Sequence, residues 1–419
     1  MARAPLHRVV VTGLGAVTPL ALNFEASWEA LLAGACGVGP VTKIEGIERF
    51  PCQVAAELKD FHPSDYLDPK EVRRNDPFTH YAVAAARMAR DDGAVDLDRC
   101  DRSRVGVLIG SGVGGLQTIE SQSKVLHSGN PRMVSPFTIP ALISDMAGGV
   151  VAIDLGVHGP NFAAVSACTT GAHAIGEAYH FLQLGKADII FSGGTEGGIN
   201  AFGFAAFCAM RAMATGFNDD PVRASRPFDS RRNGFVMGEG AGVLVLETLE
   251  NALLRNARIY CELAAYAAGC DANHITAPDL SGERLATVLR NALEEAEIAP
   301  EEVDYVSAHG TSTPYNDLCE TNAYKLVFGK RAKELTISSI KGATGHMLGA
   351  AGAVEAAVCA KAIATGKIPP TINYEFPDPA CDLDYTANKM REKKVHVALS
   401  DNLGFGGHNV ALILRKFVP

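Results

Sequence analysis

Two stretches of this chain are so rich in alanine and glycine that they narrow the possible architectures sharply. Residues 172–184 and 349–364 both carry apolar positions at helical spacing, interspersed with residues that have little or no side chain. Helices built this way let backbones come close, so both are expected inside the protein between sheets rather than on its surface. Each closes the same succession of elements. An apolar run (161–165, then 335–339) leads to a turn holding reactive side chains (Cys168 in one, Lys341 and His346 in the other), and the small-residue helix follows. This echo predicts a pseudo-duplicated core with a layered α/β/α/β/α arrangement, residues 1–254 forming one half and 255–419 the other.

The rest of the chain agrees with an alternating α/β pattern. β-Branched or apolar runs predict strands at 8–13, 104–109, 187–193, 243–247, 259–268, 303–308, 395–400 and 411–415. Helices are expected at 26–32, around the only tryptophan (Trp28), at 80–89, at 139–155, and at 282–296 with Ser281 as cap. The run Gly110-Ser111-Gly112-Val113-Gly114-Gly115 superficially resembles a dinucleotide fingerprint. Its third glycine is misplaced and no acidic residue follows at about 20 positions to hold a ribose, so a tight turn beside a pocket is expected instead.

Cys168 stands at a strand-to-helix turn, in Ala167-Cys168-Thr169-Thr170-Gly171. The exposed N–H groups and dipole of a helix N-terminus favour a thiolate there, and small neighbours leave the sulfur approachable. Two histidines sit at strand ends of the second half. His309 opens His-Gly-Thr-Ser-Thr-Pro, which runs on to Asp317 and Glu320, and His346 closes Lys341-Gly-Ala-Thr-Gly-His346 ahead of Glu355. A cysteine with one histidine would suit hydrolysis. A cysteine with two suits different chemistry, in which two N–H donors stabilise an oxyanion or enolate while the sulfur carries an acyl group.

Composition limits the alternatives. The formal net charge is −9 over 419 residues, so an anionic partner requires a local basic patch, and neither nucleic acid nor a membrane surface is indicated. Ten cysteines without CxxC pairing predict reduced thiols in a cytoplasmic protein, an organelle matrix being the other compartment compatible with them. No apolar run approaching ~20 uninterrupted residues is apparent, so no membrane span is expected.

Taken together, Ala-Cys168-Thr-Thr-Gly, His309-Gly-Thr-Ser-Thr-Pro, Lys341-x-x-x-Gly-His346 and Gly404-Phe405-Gly406-Gly407 resemble the β-ketoacyl-acyl-carrier-protein synthases, specifically their elongating, dissociated branch. The resemblance spans nearly the whole chain, in the family's order and spacing. It implies a thiolase-like fold, a homodimer, and decarboxylative condensation of acyl and malonyl groups held on an acyl carrier protein during fatty acid elongation. The ketosynthase of a dissociated polyketide system is the alternative.

By this resemblance Cys168 is the acyl-accepting nucleophile, and His309 and His346 stabilise the malonyl-derived enolate. Lys341 supports them, with Asp317 or Glu320 as its expected partner. The N–H groups of Cys168 and Phe405 would form an oxyanion hole, with Phe405, between Gly404 and Gly406, gating the site. Thr311 and Thr313 would hold the phosphopantetheine arm, which belongs to the carrier. Val113, Phe137 and Phe207 would line the acyl pocket. Lys70, Arg73, Arg74, Arg132 and Arg211 would receive the acidic carrier. No metal or redox cofactor is required, although some members hold a structural monovalent cation near Glu355 and Asp401. Four residues depart from the usual pattern: Asp401, Leu403 and Ser307 stand where asparagine, phenylalanine and asparagine are common, and His408 stands where many members carry threonine, although plastid-type members have histidine there. A coenzyme-A-dependent thiolase would need a second cysteine in the closing turn, and 404–408 has none. A non-condensing partner subunit would normally have lost Cys168.

Overall fold

A computed structural model describes residues 6–419. Nine strands pair into one mixed sheet. They are β1 (Val9–Val17), β2 (Val105–Ser111), β3 (Ile189–Glu196), β4 (Gly240–Thr248), β5 (Cys261–Cys270), β6 (Tyr305–Ser307), β7 (Thr336–Ser338), β8 (Val397–Gly404) and β9 (His408–Arg415). Their spatial order is β2-β3-β4-β1-β5-β9-β8-β6-β7. The order is nearly symmetric about the β1–β5 contact, where Val9–Val11 pair antiparallel with Cys261–Leu263. On each side, two antiparallel neighbours lead outward to strands paired in parallel.

Every residue of β1 to β4 is buried, as expected for strands covered on both faces. One outer cover consists of α1 (Pro77–Asp92) and α2 (Met146–Leu155), the other of α4 (Glu283–Glu295) and α5 (Pro314–Phe328). Between the two half-sheets lie α3 (Thr170–Gln183) and α6 (Ala351–Thr365), the two small-residue helices. Five layers result, as the sequence predicts. The central layer depends on missing side chains. A Cβ on Gly171 would lie 2.9 Å from the Gly349 carbonyl oxygen and 3.0 Å from the Ala353 nitrogen, and one on Gly352 would lie 2.9 Å from the Ala172 Cβ. The run Leu348–Thr365 is long and apolar enough to cross a membrane by length and composition, although Glu355 and Lys361 interrupt it. It packs as the buried core helix.

Three local expectations differ from the structure. Residues 139–155 form two helices, Thr138–Leu142 and α2, not one. The Leu142 carbonyl, which a continuous helix would offer to Met146, accepts the Gly115 N–H instead (2.9 Å), and Ile143 is extended. Ser281 caps α4 from one position further out: Gly282 is the N-cap, and Ser281 Oγ accepts the Glu283 N–H (3.2 Å). The 161–165 stretch is not a buried strand. It makes a single parallel bridge, Val107 to Asn161, and Phe162 and Val165 are exposed. It stands beside β2 where β7 stands beside β6, so it fills the place of the fifth strand of its half without being paired as one.

Candidate active site

The two echoing turns meet. Cys168 comes from the first, in a short 3-10 turn (Ala167–Thr169) that runs directly into α3. Ala167 has a φ of 53°, a left-handed conformation that bends the chain sharply before the cysteine. The glycine run after β2 makes room for this bend: a Cβ on Gly110 would lie 2.2 Å from the Ala164 carbonyl oxygen, and one on Gly112 would lie 2.9 Å from that of Ala167. A tight turn beside the site is what the sequence led us to expect of that run.

Cys168, His309, His346 and Phe405 line one cleft of about 540 Å³, together with Thr311, Thr313, Phe207, Arg211 and Gly404. The histidine rings stand edge to face, centroids 5.2 Å apart. Lys341 lies behind them. Its Nζ is 3.3 Å from His309 Nδ1 and forms an ion pair with Glu355, both side chains being buried. The Asn402 amide is also 3.3 Å from His309 Nδ1 and donates to Glu355 Oε2 at 2.6 Å. With two donors facing it, His309 Nδ1 is the acceptor, so the ring proton resides on Nε2. Among the described residues His346 has no hydrogen-bond partner on either ring nitrogen, although both are buried. Desolvation holds both histidines well below their usual pKa, and the Lys341 charge adds to this. Both are therefore neutral rings with an N–H to donate.

The thiol behaves differently from the expectation of a ready thiolate. Burial pushes Cys168 up to about 12, and the Glu196 charge adds to this, against the lowering effects of Lys341 and of the Phe405 and Cys168 N–H groups. Those two N–H groups are the backbone donors that favour an anion at this end of the cleft.

The expected partners of Lys341 are not the ones it meets. Asp317 accepts the Phe228 N–H (2.7 Å) and pairs with Arg232 (3.3 Å), tying down the 226–232 loop. Glu320 accepts the Gly310 N–H (2.7 Å) and the Asn316 amide (2.6 Å), and so supports the turn that carries His309. Glu355 takes the lysine because α6 starts just beyond the Lys341 turn and brings it back past that residue. Of the two carboxylates considered for a monovalent cation, Glu355 has both oxygens engaged, whereas Asp401 Oδ2 is buried without a hydrogen-bond partner among the described residues. Glu355 is held by Lys341 and Asn402, and Asp401 accepts the Tyr324 hydroxyl (2.7 Å), which also lies 3.0 Å from Glu320.

Thr311 and Thr313 hydroxyls are 2.8 Å apart on the cleft wall. Val113 and Phe137 do not line the cleft. Both are a little over one-third exposed, and a Cβ on Gly198 would lie 3.9 Å from the Val113 side chain and 4.0 Å from that of Leu348, which does line the cleft. Gly406 lies outside the lining, in the turn above, with a φ of 93°. Of the five basic residues only Arg211 reaches the cleft. Lys70, Arg73 and Arg132 are exposed away from it, and Arg74 lies over the Phe137 ring at 4.6 Å while pairing with Glu71 at 2.8 Å. Sequence reasoning missed Asn402 and Glu196. Asn402 lay in a turn already singled out, but nothing local shows which way it faces. Glu196, a buried acid at the end of β3, has no signature beyond its following an apolar, glycine-rich strand.

Comparison with known proteins accords with this arrangement. The family model "Beta-ketoacyl synthase, N-terminal domain" matches residues 6–252, and "Beta-ketoacyl synthase, C-terminal domain" matches residues 260–375. The chain is 46% identical over 417 residues to the 3-oxoacyl-[acyl-carrier-protein] synthase 2 of Synechocystis sp., covering 100% of both chains. It is 48% identical over 410 residues to the protein of the same name from Staphylococcus aureus, covering 98% of each. A solved ketosynthase of a type II polyketide system, bound to its acyl carrier protein, superposes with a TM-score of 0.92 at 32% identity, over 99% of this chain and 100% of that one. The layered, duplicated architecture is the thiolase-like fold. With both models matched in order and the relatives aligned end to end, the chain belongs to the beta-ketoacyl synthase family.

Proposed function

We propose that this protein is the elongating 3-oxoacyl-acyl-carrier-protein synthase of a dissociated fatty acid pathway. It joins an acyl group to a malonyl-derived two-carbon unit, both delivered on acyl carrier protein, with loss of carbon dioxide. The observation that carries this reading is the pair of neutral, buried histidines sharing one cleft with a buried cysteine. A hydrolase needs a base for water. Here His309 is fixed as an Nε2–H donor and His346 is held neutral, which suits stabilisation of developing negative charge.

In the first half-reaction Cys168 Sγ bonds to the acyl carbonyl carbon, the thioester bond to the carrier breaks, and the sulfur's proton ends on the departing carrier thiol. The N–H groups of Cys168 and Phe405 receive the negative oxygen of the tetrahedral intermediate. In the second, the malonyl carboxylate leaves as carbon dioxide and its bonding pair becomes an enolate, whose oxygen the two histidines hold. The enolate carbon then attacks the acyl-cysteine, and the thiolate leaves and takes up a proton. Lys341, Glu355 and Asn402 position His309, while Glu320 and Asp317 fix the turns around it. Phe405 gates the cleft, Thr311 and Thr313 bind the phosphopantetheine arm, and Phe207 meets the acyl chain.

Lys70, Arg73, Arg74, Arg132 and Arg211 receive the carrier, a role supported by the exposure of all of them but Arg74, which is half-buried. The protein acts as a homodimer. The apolar, unpaired 161–165 edge is a surface that a second copy would cover, and the exposed Val113 and Phe137 would complete the acyl pocket there. The duplicated halves meet at residues 254 and 255, between the helix Leu249–Leu254 and β5. Ten free thiols accord with a cytoplasmic setting.

Purified alone and supplied with acyl and malonyl carriers, the protein should release carbon dioxide and 3-oxoacyl carrier, and Cys168→Ala should abolish condensation. Condensation by that variant would refute the reading. The same assay addresses the polyketide alternative, in which activity would require a paired second subunit.

A further inference from the structure

His173 has no place in the reaction described so far and does not line the cleft, yet it grips the nucleophile turn on both sides of Cys168. It stands half-buried in the first turn of α3. Its Nδ1 lies 2.7 Å from Ser166 Oγ and 3.1 Å from Thr169 Oγ1. The Thr169 hydroxyl donates in turn to the Ser166 carbonyl at 2.7 Å, and the Thr169 N–H reaches the same oxygen at 3.2 Å. The Ser166 N–H donates to Thr170 Oγ1 at 3.0 Å. Ala167, inside this loop of bonds, has the left-handed φ of 53°, which a residue with a Cβ keeps only where its surroundings fix it. The Cys168 N–H belongs to the planar Ala167–Cys168 peptide, so its direction follows from the Ala167 backbone.

The same side chain reaches the gate. A Cβ on Gly404 would lie 2.9 Å from the Ser166 carbonyl oxygen and 3.3 Å from Thr169 Oγ1, so the turn bearing Phe405 rests on the residues that His173 braces. The Phe405 N–H belongs to the peptide that Gly404 begins. At the far end of that turn His408 pairs with Gly404, and its ring stands edge to face with the His173 ring, centroids 6.0 Å apart at 89°. A Cβ on Gly406 would lie 3.0 Å from His408 Nε2, so the His408 ring also lies against the gate turn. Tyr266 of β5 meets the His173 ring edge to face as well, at 6.2 Å. Burial, with His408 adding to it, holds His173 down at about 4, so a neutral ring makes these contacts.

We propose that His173 is a positioning residue that fixes the two oxyanion donors, the N–H groups of Cys168 and Phe405, relative to each other: its Nδ1 holds the nucleophile turn, and its ring holds the gate turn through His408. The role rests on the acyl-transfer reading. Both donors serve the tetrahedral intermediate, as the Cys168–acyl bond forms, the carrier–sulfur bond breaks and the sulfur's proton passes to the carrier thiol. Loss of carbon dioxide from malonyl carrier uses the rings of His309 and His346 instead, and alkylation of the thiol by iodoacetamide develops no oxyanion. Misaligned donors therefore slow acyl transfer selectively.

The test compares three rates in the full-length protein: acylation of Cys168 at saturating acyl carrier, carbon dioxide release from malonyl carrier, and iodoacetamide alkylation of Cys168. His173→Leu removes both ring nitrogens, whereas His173→Asn presents an amide oxygen or nitrogen where histidine presents Nδ1. In His173→Leu acylation should fall about tenfold or more beyond any fall in the other two rates, with half-saturation by the carrier little moved. His173→Asn should recover all but the share owed to the ring contact, about threefold. His408→Ala leaves the Nδ1 contacts in place and should show a selective fall of the same size, about threefold, and it decides the matter should His173→Leu fail to fold. Equal falls in all three rates in His173→Leu overturn the proposal, since general disruption would then be the cause. So does acylation at the wild-type rate in either His173→Leu or His408→Ala, or a His173→Asn variant no better than His173→Leu. Failure of the acyl-transfer reading would show separately, as wild-type Cys168 that no acyl carrier acylates.

Discussion

Replacing Lys341 by methionine tests the core of the site. Lys341 and Glu355 are each 1% exposed, and the pair is completed by the Asn402 amide and His309 Nδ1. Methionine approximates the volume of the lysine stem but leaves Glu355 a buried, uncompensated charge, at a cost of about 3–5 kcal/mol. Unfolding entropy near 60 °C is about 2.1 cal/mol/K per residue, so a chain of 419 residues has roughly 0.9 kcal/mol/K. A loss of ~4 kcal/mol thus lowers Tm by about 4–5 °C. Adding Glu355→Gln removes the orphaned charge, and the double variant should recover most of that loss, because a buried ion pair and a neutral pair of similar shape are often close in stability. Catalysis should not recover with it: His309 then keeps only the Asn402 donor to fix its tautomer, and carbon dioxide release from malonyl carrier should remain slow. Scanning calorimetry on the three variants, with a decarboxylation assay, gives both readouts. An unchanged Tm in the single variant, or a double variant no more stable than the single one, would refute the argument.

Three further outcomes are expected. His309 and His346 are held neutral, well below the unfolded value of about 6.5, so the stability they contribute is full above that pH and lost as pH falls below it; Tm followed from pH 7.5 to 5 should decline less in a His346→Asn variant. Gly171→Ala should cost about 1–3 kcal/mol by forcing α3 and α6 apart, seen as a lower denaturant midpoint. Arg73→Glu with Arg74→Glu should raise KM for acyl carrier with little change toward a small thioester; equal losses on both would argue against a docking rim.

The chemistry-bearing turns were legible because each is local. A cysteine among small residues before a helix, and histidines in glycine-rich strand ends, declare themselves within a few positions. The central layer was legible for a similar reason, since alanine and glycine at helical spacing can pack tightly only inside. Partner choice was not. Asp317 and Glu320 follow His309 closely in sequence, yet Lys341 selects Glu355 because helix geometry, not sequence order after a histidine, brings that carboxylate back to it. The 161–165 stretch shows the limit of periodicity: its apolar residues look the same for a buried strand and for an exposed edge with a single bridge. Expecting a thiolate at Cys168 from the helix N-terminus omitted desolvation, which outweighs it here.

Mass spectrometry of the intact protein tests the central claim most directly. Incubation with an acyl carrier should add the mass of one acyl group per chain, located on Cys168, and malonyl carrier should then discharge it with one carbon dioxide and one 3-oxoacyl carrier formed. Condensation without any acyl group on Cys168, or an acyl-cysteine that malonyl carrier leaves in place, would contradict the account.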